Sequence, residues 1–245
     1  SESQFLHEIE GPVLTQEESL ESIGKYLEEN SLTDRVKLIF SKDFVARTAV
    51  KNIGTAFELR IRLPAVYRRD SLQGVLDHEV GTHVIRWINE MQQPWFGHHA
   101  DFRLLDHLET EEGFASLHGV LSRRLPYLWM PALYYYSTYL ASQMSFTGLN
   151  QALRPYIDDR ERRWARCFRA KRGVGDTSTH ESFTKDQVYF SGTLKVLRWL
   201  KAHEYDVDLP YMGKVALQDL PRLEGIRKPP TLVPEFAQDR KKYKH

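Results

Sequence analysis

His78, Glu79 and His83 stand within one and a half helical turns, and Thr110-Glu111-Glu112-Gly113-Phe114-Ala115 follows about thirty residues later. A His-Glu pair followed closely by a second His is the usual sequence trace of a zinc peptidase: two neutral imidazoles bind the metal, and the Glu beside the first takes a proton from water. The spacing departs from the familiar H-E-x-x-H, whose ligands lie about 40° apart round a regular helix. His78 and His83 are five apart, which a regular helix would separate by about 140°. An i→i+5 turn restores them to one face, so a zinc site here requires a local π-distortion. Gly81, between the two histidines, is expected to give the backbone latitude for it.

A third protein ligand is needed, with an open fourth position for chemistry. Glu112 is the candidate and Glu111 its rival. Glu112 and Ala115 lie one helical turn apart, which suits a second helix that delivers the ligand and packs a small residue against the first. His98, His99 and His107 are rival ligands whose spacing offers nothing better than His83, and they are read as surface or substrate-contacting residues. The plainer alternative is a pair of solvated surface helices. The addition of E-E-G-F-A to H-E-x-x-x-H favours metal.

With these motifs on the page, the chain resembles the microtubule-associated tyrosine carboxypeptidase family. The resemblance rests on H-E-V-G-T-H, Gln93-Pro94-Trp95, T-E-E-G-F-A-S-L-H, Arg169-Ala170-Lys171-Arg172-Gly173 and Thr184-Lys185-Asp186-Gln187-Val188-Tyr189. Bacterial relatives carry Q-E-G-L-A at the corresponding place, and Phe114 here replaces the frequent Leu. The resemblance implies zinc-dependent removal of the C-terminal tyrosine of α-tubulin, in the cytoplasm and in association with microtubules. It implies His78, His83 and Glu112 as zinc ligands and Glu79 as catalytic base.

The elements that must position these residues follow from periodicity. Thr15 caps a helix over 15–30, with Glu18 at capping-box spacing. Residues 36–40 form a short strand. Residues 56–63 alternate apolar with charged, so Phe57, Leu59, Ile61 and Leu63 face the core and Glu58, Arg60 and Arg62 face outward. This strand is expected to run along the cleft, where a peptide could add to its edge. The metal helix begins near Asp70-Ser71 and ends before Pro94, and the Glu helix runs to about Arg124. Residues 131–145, rich in tyrosine, read as a core helix. Residues 150–172 read as one basic helix, either a solvated face or a surface for an acidic partner. Residues 185–202 form a last long helix. The expected fold is α+β, a mostly helical zinc-peptidase domain over residues 1–245 with a small mixed sheet beside the metal helix.

The mechanism needs two further functions. Tyr189 is the candidate donor to the tetrahedral oxyanion. A free terminal carboxylate needs a cation, for which Lys171, Arg172, Lys185, Arg60 and Arg62 are unranked candidates. Composition adds exclusions: a net charge of +1 and a single cysteine give no sign of a nucleic-acid partner or a disulfide framework. No apolar run approaches the roughly 20 residues of a membrane span. The chain opens Ser-Glu-Ser without Met or a signal-peptide pattern, as a piece trimmed from a longer protein would. Three alternatives stay open: a zinc aminopeptidase or endopeptidase, a cysteine hydrolase built on Cys167, and a non-catalytic microtubule-binding module.

Overall fold

The computed structural model describes residues 2–44 and 46–244, with side chains from residue 4 onward. Helix α1 (Glu2–Glu10) precedes α2 (Gln16–Glu29). Thr15 and Glu18 form the expected reciprocal capping box, the Thr15 hydroxyl accepting from Glu18 N and the Glu18 carboxylate from Thr15 N. Three strands follow: β1 (Val36–Ser41), β2 (Thr48–Ile53) and β3 (Ala56–Arg62). Their order is β1-β3-β2, with β1 parallel and β2 antiparallel to β3. The fold is α+β, mostly helical with this small mixed sheet.

Beside the sheet runs the metal helix. It is assembled from α3 (Arg69–Leu76), a π-helical segment (Asp77–Val84) and α4 (Ile85–Glu90), and the junction residues keep helical dihedrals. The distortion expected from the five-residue spacing is present. Helix α5 (Leu108–Leu121) lies against it, and α9 (Val188–Ala202) packs on the other side of α5. At Gly113 and Gly192 the α5 and α9 backbones come so close that a Cβ on Gly192 would lie 2.1 Å from Glu109 O. Val80, Val84, Phe114, Val196 and Leu200 fill the core beneath the site.

Gly81 serves the π-segment through packing. A Cβ there would lie 2.7 Å from both Phe236 Cε1 and Tyr26 Oη, so only hydrogen fits. The backbone groups that an i→i+5 turn exposes are met by side chains. Thr82 Oγ1 donates to Asp77 O at 2.8 Å and Tyr211 Oη donates to Gly81 O at 2.9 Å.

Three readings from sequence change. The span 150–172 is two helices, α7 (Phe146–Ala152) and α8 (Arg160–Ala170). Pro155 breaks the run by lacking an N–H, and Asp159 caps the restart by accepting from Arg162 N at 2.7 Å. The tyrosine-rich helix α6 (Trp129–Ala141) buries Leu140 and Ala141 in a small second cluster with α7 and α8, yet Tyr135, Tyr136 and Tyr139 are exposed. It is therefore a core helix on one face only. Strand β3 is the middle strand, so it has no free edge for a peptide. The edge strand nearest the metal helix is β2.

Candidate metal centre

The π-turn brings His78 and His83 to one face, with ring centroids 5.0 Å apart. Glu112, on α5, completes a trio whose ligand atoms all lie within 4.8 Å of one another. Its Oε2 is 3.9 Å from His78 Nε2 and 3.6 Å from His83 Nε2. The three side chains are 23%, 16% and 12% exposed, so the group is recessed but open on one side.

The donor set fits a divalent metal of zinc's preferences, two imidazole nitrogens and a carboxylate oxygen. The outer contacts fit as well. His83 Nδ1 lies 2.6 Å from Glu111 Oε1, and His78 hydrogen-bonds the Ala115 backbone. Each ring thus turns its Nε2 toward Glu112 while the other nitrogen is held, the arrangement that fixes a metal-binding tautomer. Adjacent Glu111 and Glu112 point about 100° apart on α5 and so divide the work. Burial works against the Glu111 charge, but Arg86, Lys214 and His83 overcome it and hold the carboxyl well below the usual range. Arg86 is bound to Glu111 Oε2, and Lys214 Nζ lies 3.0 Å from Glu111 Oε1. Of the two glutamates that sequence left open, it is Glu112 that groups with His78 and His83, while Glu111 turns to Arg86, Lys214 and the far side of His83.

Electrostatics differentiate the trio. Burial, helped by the positive charge of His83, lowers His78 to about 4. Burial also disfavours His83⁺, but bonds from Glu111 and Glu112 outweigh it and raise that ring to about 9. Glu79 stands beside the trio with Oε2 accepting from Val50 N on β2 at 3.2 Å. Burial raises Glu79 to about 7, a value suited to taking up and returning a proton near neutral pH. Between β2 and the metal helix lies a cavity of about 160 Å³ lined by Val50, His83, Trp87 and Lys214.

The remaining sequence candidates separate. Tyr189, on α9, is close enough to Glu112 for that charge, after burial, to raise its phenol, which stays protonated as a donor. Lys185 is placed with the trio, its Nζ 3.9 Å from Glu112 Oε1. Lys171 requires correction. Its ammonium turns inward and donates to Ala141 O, Met144 O, Thr179 O and Glu181 O at 2.7–2.8 Å. With every donor engaged, it clamps the loop after α8 and has none for a substrate. Arg172 is exposed over the Phe183 ring. Arg60 binds Glu58 through Nε and Nη2, and Arg62 sits with it on the central strand.

His98 pairs with Asp101 on the surface, and His99 with buried Glu90. His107 faces Glu111 and Arg86 but stands outside the trio. Cys167 is buried, and burial raises its thiol, so it lacks the character of a nucleophile. Sequence reasoning did not identify Arg86, Lys214 or His118 as supports. Arg86 carried a faint signal, three residues after His83 on the same helix. His118 closed the T-E-E-G-F-A-S-L-H motif without being assigned a role, and Lys214 carried no signal.

Residues 4–245 match the family described as microtubule-associated tyrosine carboxypeptidase. Over 243 residues the chain is 38% identical to Microtubule-associated tyrosine carboxypeptidase 1 of Homo sapiens, covering 96% of this chain and 50% of that protein. The Mus musculus protein of the same name is 37% identical with the same coverage. That of Rattus norvegicus is 36% identical over 238 residues, 96% of this chain and 50% of its own. The chain spans about half the length of these relatives. With a match over nearly its whole length, the chain belongs to the microtubule-associated tyrosine carboxypeptidase family.

Proposed function

We propose that residues 1–245 form the catalytic domain of a zinc metallocarboxypeptidase that removes a C-terminal tyrosine, or a related aromatic residue, from acidic tails such as that of α-tubulin. The observation that carries the chemistry is the position of Glu79, which lies outside the His78, His83 and Glu112 group yet stands beside it with its carboxylate held by Val50 N. The substrate in this reading is supported by the family relationship and by relatives named tyrosine carboxypeptidases. The relatives are named as microtubule-associated, and a cytoplasmic, microtubule-associated setting is part of this reading.

Zinc, when bound by His78, His83 and Glu112, supplies a Lewis acid that polarises the scissile carbonyl and acidifies water. Glu79 accepts a proton from the attacking water at one carboxylate oxygen while Val50 N–H orients the other. It then returns the proton to the leaving amine. The Tyr189 hydroxyl donates to the oxyanion as charge develops there. Glu111 holds His83 in orientation throughout, and Arg86 with Lys214 keeps Glu111 ionised. The free edge of β2 offers backbone groups to an extended peptide, and Lys185 and Lys214 flank the trio with positive charge for an acidic tail.

The test is metal analysis of the purified protein together with cleavage of a peptide ending Glu-Glu-Tyr. Stoichiometric zinc and release of free tyrosine are expected, with no cleavage when the terminal carboxylate is amidated. Cleavage of the amidated peptide would mark an endopeptidase. Cleavage only when the amino end is free would mark an aminopeptidase. Zinc without cleavage of any peptide would mark a binding module.

A further inference from the structure

The C-terminal end of α8 fastens the segment that leads into α9. Lys171 gathers Thr179 O and Glu181 O from the loop after it, and Phe183 N donates to Ala170 O at 2.8 Å. Arg169 completes the attachment farther along. Its Nη2 lies 2.9 Å from Asp186 Oδ1 and its Nε is bound to Asp186 Oδ2, the two-pronged geometry that fixes direction as well as distance. The Asp186 side chain is only 4% exposed, so water competes little for it.

Asp186 belongs to a 3₁₀ turn, Thr184–Gln187, that continues directly into α9, with Val188 N donating to Lys185 O at the junction. Tyr189 follows Asp186 by three residues and stands in the first turn of α9, close to Glu112. A carboxylate gripped at Asp186 therefore fixes the backbone from which the Tyr189 side chain departs.

The same guanidinium reaches Tyr189 by a second route. It lies 4.6 Å from the Tyr134 ring centroid and 5.9 Å from that of Tyr189, and the two rings are 5.6 Å apart. Arg166, three residues earlier on α8, lies 3.8 Å from the Tyr134 centroid and holds that ring in turn. Among the described residues the Tyr189 hydroxyl has no hydrogen-bond partner, so backbone and ring contacts set where it points.

We propose that Arg169 is a positioning residue for Tyr189: its fork to Asp186 fixes the start of α9, and its charge over the Tyr134 and Tyr189 rings aims the phenol toward the metal trio. The inference rests on the carboxypeptidase reading for what Tyr189 does there. It gives a joint purpose to the Arg169–Gly173 and Thr184–Tyr189 motifs, which one ion pair ties together across the intervening loop. Arg169 itself touches no reacting atom and acts through Tyr189.

The test reads Tyr189 directly and through turnover. In protein labelled with 3-fluorotyrosine, the Tyr189 fluorine resonance is the one that Tyr189→Phe abolishes. Arg169→Gln should shift or broaden it, and Arg169→Lys, which keeps the charge but not the fork, should move it less. In zinc-loaded protein on a Glu-Glu-Tyr peptide, Arg169→Gln should lower kcat about tenfold or more, a part of the roughly 10²–10³ that losing an oxyanion donor costs. KM should stay nearly constant, because that donor acts only in the transition state. In a Tyr189→Phe background the same change should cost little further kcat, since its target is gone. Arg169→Gln strands the Asp186 carboxylate; Arg169→Met with Asp186→Leu removes both charges and should show the same two effects in a chain that keeps its fold. An unmoved Tyr189 resonance would overturn the proposal, as would an undiminished loss of kcat in the Tyr189→Phe background. The two readings fail separately. If the peptide is not cleaved but the resonance depends on Arg169 in this way, the positioning role stands and the peptidase reading falls. If the peptide is cleaved and the resonance ignores Arg169, the positioning role falls and the peptidase reading stands.

Discussion

Glu111 Oε1 lies 2.6 Å from His83 Nδ1, on the ring nitrogen that faces away from the metal trio. Its neighbour Glu112 meets the opposite nitrogen of the same ring. Two consecutive glutamates thus grip one imidazole from both sides, Glu112 in the trio that could hold a metal and Glu111 as the orienting partner. The roles predict different failures. Glu112→Ala should lose metal altogether. Glu111→Gln should keep stoichiometric metal but bind it about 10–100-fold more weakly, the usual cost of losing an outer-shell partner. Competition against a chelator reads both. Metal retained in Glu112→Ala and lost in Glu111→Gln would reverse the assignment.

Removing the Glu111 side chain should cost stability as well as affinity. Arg86 is completely buried and its Nη1 is bound to Glu111. Glu111→Ala strands that charge, which for a broken buried pair costs about 3–5 kcal/mol. Arg86 keeps bonds to Pro210 O and Gly213 O, which should hold the loss toward the lower figure. Denaturant unfolding of the metal-free protein measures it, and a loss below about 1 kcal/mol would show that Arg86 is satisfied without Glu111.

Glu79→Gln separates proton transfer from metal binding. The amide oxygen can still accept from Val50 N, so fold and metal content should match the parent. Without a group to take and return a proton, kcat should fall by about 10²–10⁴. A variant with undiminished kcat on a Glu-Glu-Tyr peptide would remove Glu79 from the reaction.

The π-segment was legible because the two histidines could not otherwise share a metal: the spacing itself carried the geometry. What holds the segment was not legible. Gly81 looked like a source of backbone freedom, yet its environment is a contact with Phe236 and Tyr26 that comes from 155 residues ahead and 55 behind. The choice between Glu111 and Glu112 likewise depended on Arg86 and Lys214, which approach from different elements. Strand β2 escaped detection because Lys51 and Asn52 interrupt its apolar residues, and β3 was then assigned the edge that β2 occupies. The basic run of α8 read as a surface, whereas Arg163 bonds Ile157 O and Asp158 O, and Arg169 is bound to Asp186. Local pattern reveals elements and ligands; the partners that tune them are long-range.

Gly81→Ala should therefore destabilise by overpacking, at about 1–3 kcal/mol. Phe236→Leu in the same chain should recover part of the loss by making room, so the two changes together should cost less than their sum. Thermal or denaturant unfolding of the four proteins forms the cycle. Strict additivity would mean that the clash with Phe236 is not the cause.

The last prediction concerns acid stability and rests on His118, completely buried on α5 beneath the π-segment. Thr82 Oγ1 spends its proton on Asp77 O, so His118 Nδ1 must be the donor in their 2.8 Å bond. Its Nε2 faces Tyr243 Oη at 3.0 Å, and the single phenol proton is shared between that nitrogen and Ala237 O at 3.1 Å. Burial lowers His118 to about 3, with Arg86 and His78 acting in the same direction and Glu111 opposing. Tyr211 and Tyr243, packed on the ring, remain neutral phenols because burial raises both. In the unfolded chain the same histidine titrates near 6.5. Below that pH the unfolded state takes a proton that the native state refuses, so stability is full above about 6.5 and falls as pH drops toward 3. The slope from this one group approaches about 1.4 kcal/mol per pH unit. His118→Gln, whose amide can still bond Thr82, should start less stable at pH 7.5 but lose stability less steeply between pH 6 and 4. The difference in slope should correspond to one proton. Parallel curves for parent and variant would show that His118 does not govern the acid limb.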